Sequence, residues 1–415
     1  MYVKRVLPNG VRLISEKLDT VRTVSVGIWV GNGSRYEPAA LGGISHFIEH
    51  MIFKGTEKRS AQHIAIAIDA LGGQANAFTD KECTCYYMKV LDKRLKNGIS
   101  ILADMFMHSR FAQEDIDLER GVVLEEIDMY EDSPEDVAID KLFEQCYDGS
   151  ALGRPILGTA ETLQAINSEA MHDYMHRYYR PKDTVVALSG HFTEDDLDYI
   201  ADLFSEMEGE GRNEITPASY QPSLLLREKD IEQNHLCLSF PGVSLLSDDR
   251  YAMNLLSSIL GGGMSSRLFQ QVREQNGLCY SIYSFTTPHL DAGLFSIYTG
   301  LGAETEQKAL DLIVRELHRF CEEGPAADEL SRCREQVKTT LLMGLESTGT
   351  RMMTIGRSEL LRGQVLAVEQ VLAAYDRVTT DDVLALARRV FDFEQVSLAV
   401  VGQPDRRDTY RALLQ

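Results

Sequence analysis

Apolar and polar positions along the chain follow one plan twice. Residues Ile166 to Gly190 (INSEAMHDYMHRYYRPKDTVVALSG) and Val378 to Gly402 (VTTDDVLALARRVFDFEQVSLAVVG) align without a gap, each position 212 residues from its counterpart. Each segment opens on a capping signal, Asn167-Ser168 or Thr379-Thr380, and continues with apolar residues at helical period. Each then enters a β-rich run, Thr184-Val-Val-Ala-Leu or Val396-Ser-Leu-Ala-Val-Val, and stops at glycine. A second helix is expected after both, through Leu197, Ile200, Leu203 and Phe204 and again near Tyr410, Leu413 and Leu414. The starts of the halves match more loosely: Val24-Ser-Val-Gly-Ile-Trp-Val resembles His235-Leu-Cys-Leu-Ser-Phe, and a polar turn and a helix follow each.

An offset near half the chain length predicts two copies of one domain. A polar stretch with two glycines, from Glu208 to Pro217 and onward, is the expected joint, giving domains 1–212 and 213–415. The predicted fold class is α+β: two tandem, repeat-related domains, each a mainly antiparallel sheet packed with helices. Gly72-Gly73, ahead of Asn76-Ala-Phe-Thr, reads as a hairpin turn.

Composition narrows the function. At 415 residues the chain exceeds what one core usually holds, and its 44% hydrophobic and 25% charged residues suit a globular protein. No window approaches the roughly 18 apolar residues of a membrane span. The opening Met1-Tyr-Val-Lys-Arg-Val-Leu offers neither a secretory nor a transit signal, so a cytoplasmic location is expected. A formal charge of −21 disfavours nucleic acid and anionic membranes as partners. Seven scattered cysteines without a CxxC pair read as buried free thiols, and the lone Trp29 reads as packing.

The chemistry concentrates in Gly42-Gly-Ile-Ser-His46-Phe-Ile-Glu49-His50-Met-Ile-Phe53, whose core is H-x-x-E-H. On a helix His46 and His50 share a face one turn apart and can share a metal ion. Glu49 lies within reach of a water on that ion without being a ligand. A catalytic zinc needs a third protein ligand and an open position, and a carboxylate then serves as base for the water. The third ligand is sought in Leu118 to Tyr130. As a helix, this segment places Glu119, Val122, Val123, Glu126 and Tyr130 on one stripe. Two carboxylates on an otherwise apolar face need a buried partner, which favours Glu126 as ligand and Glu119 as the acid behind a histidine. Glu125, about 100° away, is expected in solvent. His172 and His176, also four apart, have no such acid, and Leu384 and Arg388 replace them in the repeat. They read as an ordinary helix face.

Taken together these residues resemble the peptidase family that includes pitrilysin, insulin-degrading enzyme and mitochondrial processing peptidase. The resemblance runs from Leu7-Pro-Asn-Gly-Val-Arg-Leu through Gly31-Asn-Gly-Ser-Arg-Tyr-Glu into the His46–His50 helix. It implies Zn2+ on His46, His50 and Glu126, the third ligand falling about 76 residues past the second histidine. Glu49 would be the catalytic base and Glu119 the assisting acid. Asn76 and Ala77, with Phe78-Thr79 and Glu82-Cys-Thr, resemble the edge strand on which a peptide adds as an extra strand. Gly261-Gly-Gly-Met-Ser-Ser-Arg-Leu-Phe has no lysine at a Walker position. With Arg273-Glu-Gln-Asn-Gly-Leu-Cys-Tyr280 it resembles the family's glycine-rich loop and Arg/Tyr pair, which bind substrate carbonyls and the forming oxyanion. Asp183 stands where the family often has Asn. Larger members carry four such domains in two bowls, so a two-domain chain implies a dimer, homodimeric or with a homologous chain, enclosing a chamber. The function implied is a zinc endopeptidase hydrolysing unfolded peptides or processing precursors. The alternatives are a catalytic subunit active only beside a silent homologue, and a non-catalytic assembly subunit.

Overall fold

The computed structural model describes residues 2–404 and residue 410. The chain forms two compact units, each assembled from non-contiguous segments. The first holds residues 1–127, 154–216 and 342–367, and the second 128–153, 217–341 and 368–415.

The first unit is built on a six-stranded sheet of β1 (Tyr2–Val6), β2 (Arg12–Lys17), β3 (Thr23–Val30), β4 (Gln74–Thr79), β5 (Thr84–Leu91) and β6 (Thr184–Gly190). The strand order is β1-β2-β6-β3-β5-β4. Every neighbouring pair is antiparallel except β2 with β6. The second unit has β7 (Leu224–Glu228), β8 (Gln233–Pro241), β9 (Cys279–Pro288), β10 (Gly293–Gly302) and β11 (Ser397–Gly402), in the order β7-β11-β8-β10-β9. Its one parallel pair is β7 with β11. Read from β2, the first sheet has the same order as the second. The predicted class, α+β with mainly antiparallel sheets in two repeat-related domains, is the observed one.

The offset of 212 residues also holds at the level of elements. Helix Ser168–Tyr178 maps onto Thr380–Val390, and the short turn Pro181–Asp183 onto Phe393–Gln395. The caps Asn167 and Thr379 accept from Ala170 N–H and Asp382 N–H. Both copies end at a glycine with positive φ, Gly190 at 135° and Gly402 at 142°. A Cβ on Gly190 would lie 2.3 Å from Thr23 O, and one on Gly402 2.3 Å from Asn234 Oδ1. Glycine is therefore required where this strand runs into the start of its neighbour. The helix after Gly190 spans Glu194–Ser205 and buries Leu197, Ile200 and Phe204. Its expected second copy lies outside the described residues, apart from the buried Tyr410. Residues 207–223 carry no helix or strand, and one passage between units, at 216/217, falls there.

Alternation on β3 sets the layering of the first unit. Val24, Val26, Ile28 and Val30 face the main helical core, which they share with Phe47, Ile48, Ile99 and Phe106. Ser25, Gly27 and Trp29 face the opposite way, where helix Thr348–Arg362 covers the sheet. Ser25 Oγ and Thr348 Oγ1 are 2.9 Å apart, and Gly356 brings that helix directly onto the buried Trp29 indole. Helix Pro134–Cys146 does the equivalent for the second unit, packing Val137, Leu142 and Phe143 with Cys237, Leu294, Ala399 and Val401. Five cysteines, Cys83, Cys85, Cys146, Cys237 and Cys333, are buried as free thiols.

Two local expectations are corrected. Gly72 is not a hairpin turn: at φ 63° it ends helix Ala61–Leu71 in the left-handed region, and the β4–β5 hairpin turns at residues 80–83 instead. Both uses of glycine need the same backbone freedom, so the dipeptide alone does not separate them. The stripe on helix Gln113–Asp132 is only partly buried. Glu119 and Val123 are inside, whereas Val122 and Tyr130 are 50% and 45% exposed. Among the described residues, no helix is long and apolar enough to cross a membrane.

Candidate metal centre

The H-x-x-E-H residues lie on helix Ile44–Met51. The helix starts at Gly43, whose φ is 91°. A Cβ there would meet Leu157 O at 2.6 Å. No side chain at Gly43 caps the helix. Instead the buried Glu37 reaches in from the preceding loop and accepts from Gly43 N–H at 2.7 Å and Ser45 N–H at 2.8 Å. Burial pushes the Glu37 carboxyl up to about 7, against the pull of those two donors. Ser45 Oγ also lies 3.0 Å from the Tyr174 hydroxyl, which donates to Asn32 Oδ1 at 3.0 Å. The inner side of the helix is thus fixed by polar groups as well as by Phe47 and Ile48.

From this helix His46 and His50 converge with Glu126 of helix Gln113–Asp132. Glu126 Oε2 stands 3.6 Å from His46 Nε2 and 3.5 Å from His50 Nε2, and one ligand atom from each residue lies within 4.8 Å of the others. The two distances from Glu126 are long for direct hydrogen bonds. They suit donors around a shared ion, since zinc bonds of about 2.0–2.2 Å at tetrahedral angles set donors roughly 3.3 Å apart. The donor chemistry agrees. Burial, with His50 as neighbour, lowers His46 to about 3, so its imidazole is in the neutral form that binds metal. His50 Nδ1 is 3.0 Å from Glu119 Oε1, an arrangement that places the ring proton on Nδ1 and leaves Nε2 free for a ligand bond. Glu119 Oε2 pairs with Lys54 Nζ at 2.5 Å. His46 Nδ1 is buried without a hydrogen-bond partner, so packing alone orients that ring from behind. The residues present fit a zinc ion.

Glu49 stays out of the ligand group. Its Oε2 accepts a 2.7 Å hydrogen bond from Thr79 Oγ1, and burial raises its carboxyl above the usual range while that hydrogen bond opposes the rise. Thr79 ends β4, the outermost strand beside β5, and Asn76 and Ala77 lie on the same strand. Ala77 N–H is held by the Asn76 side-chain oxygen at 2.8 Å. In the second unit the structure brings Arg273 and Tyr280 together. The guanidinium lies 5.1 Å from the Tyr280 ring centroid and 4.6 Å from that of Phe269, on a π-helical turn, Phe269–Glu274, and Tyr280 is 80% exposed. Asp183 is structural: its Oδ2 accepts from Asn213 N–H, and its carbonyl accepts from Gly31 N–H. His172 and His176 are exposed, and Glu125 is exposed as expected.

Three residues at this centre were assigned no chemical role by the sequence, although Glu37 and Thr79 lie in segments that carry the resemblance. Lys54 carried a usable signal, since it stands four residues past His50 and so continues the same face. Thr79 carried none, because it reaches Glu49 from a strand 30 positions on, and Glu37 stands six residues before Gly43, outside the spacing of a local cap.

Two repeated sheet-and-helix units, one presenting two imidazoles, a converging carboxylate and a separate carboxylate beside them, define the architecture of inverted-motif peptidases. Residues 12–160 match the family described as Insulinase (Peptidase family M16), and residues 165–337 match the Peptidase M16 inactive domain. A Bacillus subtilis protein named an uncharacterized zinc protease is 41% identical over 95% of this chain and 96% of its own length. A similarly named Streptomyces coelicolor protein is 41% identical over 95% of this chain and 88% of its own. Among solved structures, a peptidase M16 inactive domain from Pseudomonas fluorescens superposes with a TM-score of 0.91 at 19% identity, covering 97% of this chain and 98% of that one. A protease from Helicobacter pylori gives 0.89 at 20% identity, covering 97% and 99%. The chain belongs to peptidase family M16, as a short member with two domains. The second unit's counterpart to the metal helix, Arg250–Gly261, has neither histidine nor glutamate, in keeping with its match to the inactive domain.

Proposed function

We propose that this chain is a zinc-dependent endopeptidase that hydrolyses unfolded peptides or processes precursor peptides. The observation that carries this reading is the convergence of His46, His50 and Glu126, with Glu49 beside them and outside the ligand set. His46, His50 and Glu126 would hold a zinc ion, which would supply Lewis acidity and activate a water at neutral pH. Glu49 takes the proton of the water as its oxygen bonds to the scissile carbonyl carbon, and gives that proton to the amine as the C–N bond breaks. Glu119 keeps the His50 proton on Nδ1. A peptide adds along the free edge of β4, where Ala77 N–H exchanges the Asn76 oxygen for a substrate carbonyl. Two chains, identical or homologous, enclose the substrate in a cytoplasmic chamber, and Arg273 and Tyr280 of one protomer would bind the substrate carbonyl beside the partner's metal-ligand group.

The test is cleavage of a quenched, unstructured peptide by the purified chain, with and without chelator and added zinc. Glu49→Gln should lower turnover by about 10²–10⁴-fold while the protein still binds one zinc. Wild-type cleavage by that variant, or loss of its zinc, refutes the assignment. A wild-type chain that binds zinc yet cleaves only beside a homologous protein would make it the catalytic subunit of a pair.

A further inference from the structure

We infer that Thr79 is a positioning residue for the base: it locks the Glu49 carboxylate so that one defined oxygen carries the proton. The inference rests on Glu49 being the base and extends that reading to how the base is held.

The geometry is specific. Thr79 Oγ1 donates to Glu49 Oε2 at 2.7 Å, across 30 positions of sequence. Thr79 can hold the carboxylate because it cannot itself move far. Its backbone pairs with Thr84 in the β4–β5 ladder, and a β-branched side chain on a strand has restricted χ1. The next residue, Asp80, anchors the strand end: its carboxylate takes Arg357 at 3.0 Å and its carbonyl takes Ser34 N–H at 3.3 Å. Phe78, one residue earlier, packs edge-on against the buried Trp29.

With Oε2 occupied, Oε1 is the oxygen left to take a proton from water. A free carboxylate turns about its terminal bond and offers either oxygen; the hydroxyl stops that rotation. In the forward step the water O–H proton moves to Oε1 as the new C–O bond forms. In the second step the same proton leaves Oε1 for the amine nitrogen as the C–N bond breaks, and Glu49 returns to its starting state. Both transfers use one oxygen facing one way. Because Thr79 belongs to the strand proposed to receive the peptide, one element fixes the substrate backbone and the base together. Misplacement of a reacting group by around an ångström costs on the order of 10²-fold.

Thr79→Val keeps the shape and removes only the donor. Expected is a fall in kcat of about 10–100-fold, with KM, zinc stoichiometry and melting temperature close to wild type. Thr79→Ser, which restores the hydroxyl, should recover most of the rate. A Thr79→Val enzyme with kcat within about twofold of wild type overturns the inference, as does a loss confined to KM, or a Thr79→Ser variant no better than Thr79→Val. If valine prevents folding, Thr79→Ala against Thr79→Ser reads the same quantity. Glu49→Gln separates the two levels of the argument. An inert Glu49→Gln alongside an unimpaired Thr79→Val sinks only the positioning role, whereas an active Glu49→Gln sinks the base and this inference together.

Discussion

Replacing Glu37 by glutamine tests the support of the metal helix, and the sign of its pH dependence is fixed by the structure. Glu37 is 2% exposed and its carboxyl is raised from an ordinary 4.5 to about 7, chiefly by burial, with nearby Lys81 and the Ser45 and Gly43 donors opposing. Between those pH values the folded chain keeps a proton that the unfolded chain has lost. Folded stability therefore decreases as pH rises through the window, by roughly 1.4 kcal/mol per pH unit, or about 3 kcal/mol in all. Glutamine resembles the protonated acid, with one acceptor and one donor end, and does not titrate. It leaves one of the two backbone N–H groups poorly matched, at a cost of about 1–3 kcal/mol at every pH. The difference, Glu37→Gln minus wild type, cancels all other titrations. It should start negative near pH 4.5 and climb by about 3 kcal/mol towards pH 7, then stay flat. The chain's one tryptophan, Trp29, is buried in the first unit, so its fluorescence during urea unfolding reports on that unit alone. A flat difference curve, or one that falls with pH, would mean that the two N–H groups outweigh burial and hold the carboxylate ionised.

Two further outcomes follow from the same structure. Mixing a Glu49→Gln protomer with an Arg273→Ala protomer should restore peptide cleavage above either alone; if hetero-dimers form and stay inert, sharing of the site between chains is wrong. Gly356→Ala places a Cβ 2.2 Å from Trp29 Nε1, against a rigid ring. Overpacking of about 3 kcal/mol less about 1 kcal/mol of helix propensity should destabilise the first unit by roughly 2 kcal/mol, and an unchanged urea midpoint would contradict the packing of that helix.

The parts of the site set by local spacing could be read from the sequence. His46, Glu49 and His50 are fixed by one helix, and Glu119 and Glu126 by another, so period alone sorts their faces. The repeat was equally accessible because Gly190 and Gly402 each sit at positive φ in a close contact that a side chain would violate. What escaped depends on contacts outside the spacing of any local motif. Glu37 caps the metal helix from across one short turn, Ala39–Leu41, outside the spacing of any capping box. Thr79 meets Glu49 only because β4 folds back beside the helix. Val122 and Tyr130 fit the helical stripe by number yet remain exposed, since period gives a direction and not what covers it. The cover supplied by Thr348–Arg362 is likewise invisible locally: its decisive feature is a missing side chain at Gly356, matched to an indole 327 positions earlier.

That last arrangement constrains how the protein is made. The final strand of the first sheet ends at Gly190, but the helix that shields the Trp29 face ends at Arg362. At about 5–20 residues per second a ribosome needs on the order of 10–30 s to cover that interval. Throughout it the Trp29 side of the nascent sheet lacks the helix that covers it in the folded unit. An N-terminal fragment ending at residue 212 would lack residues 342–367 and leave the Trp29 indole without the Gly356 helix against it.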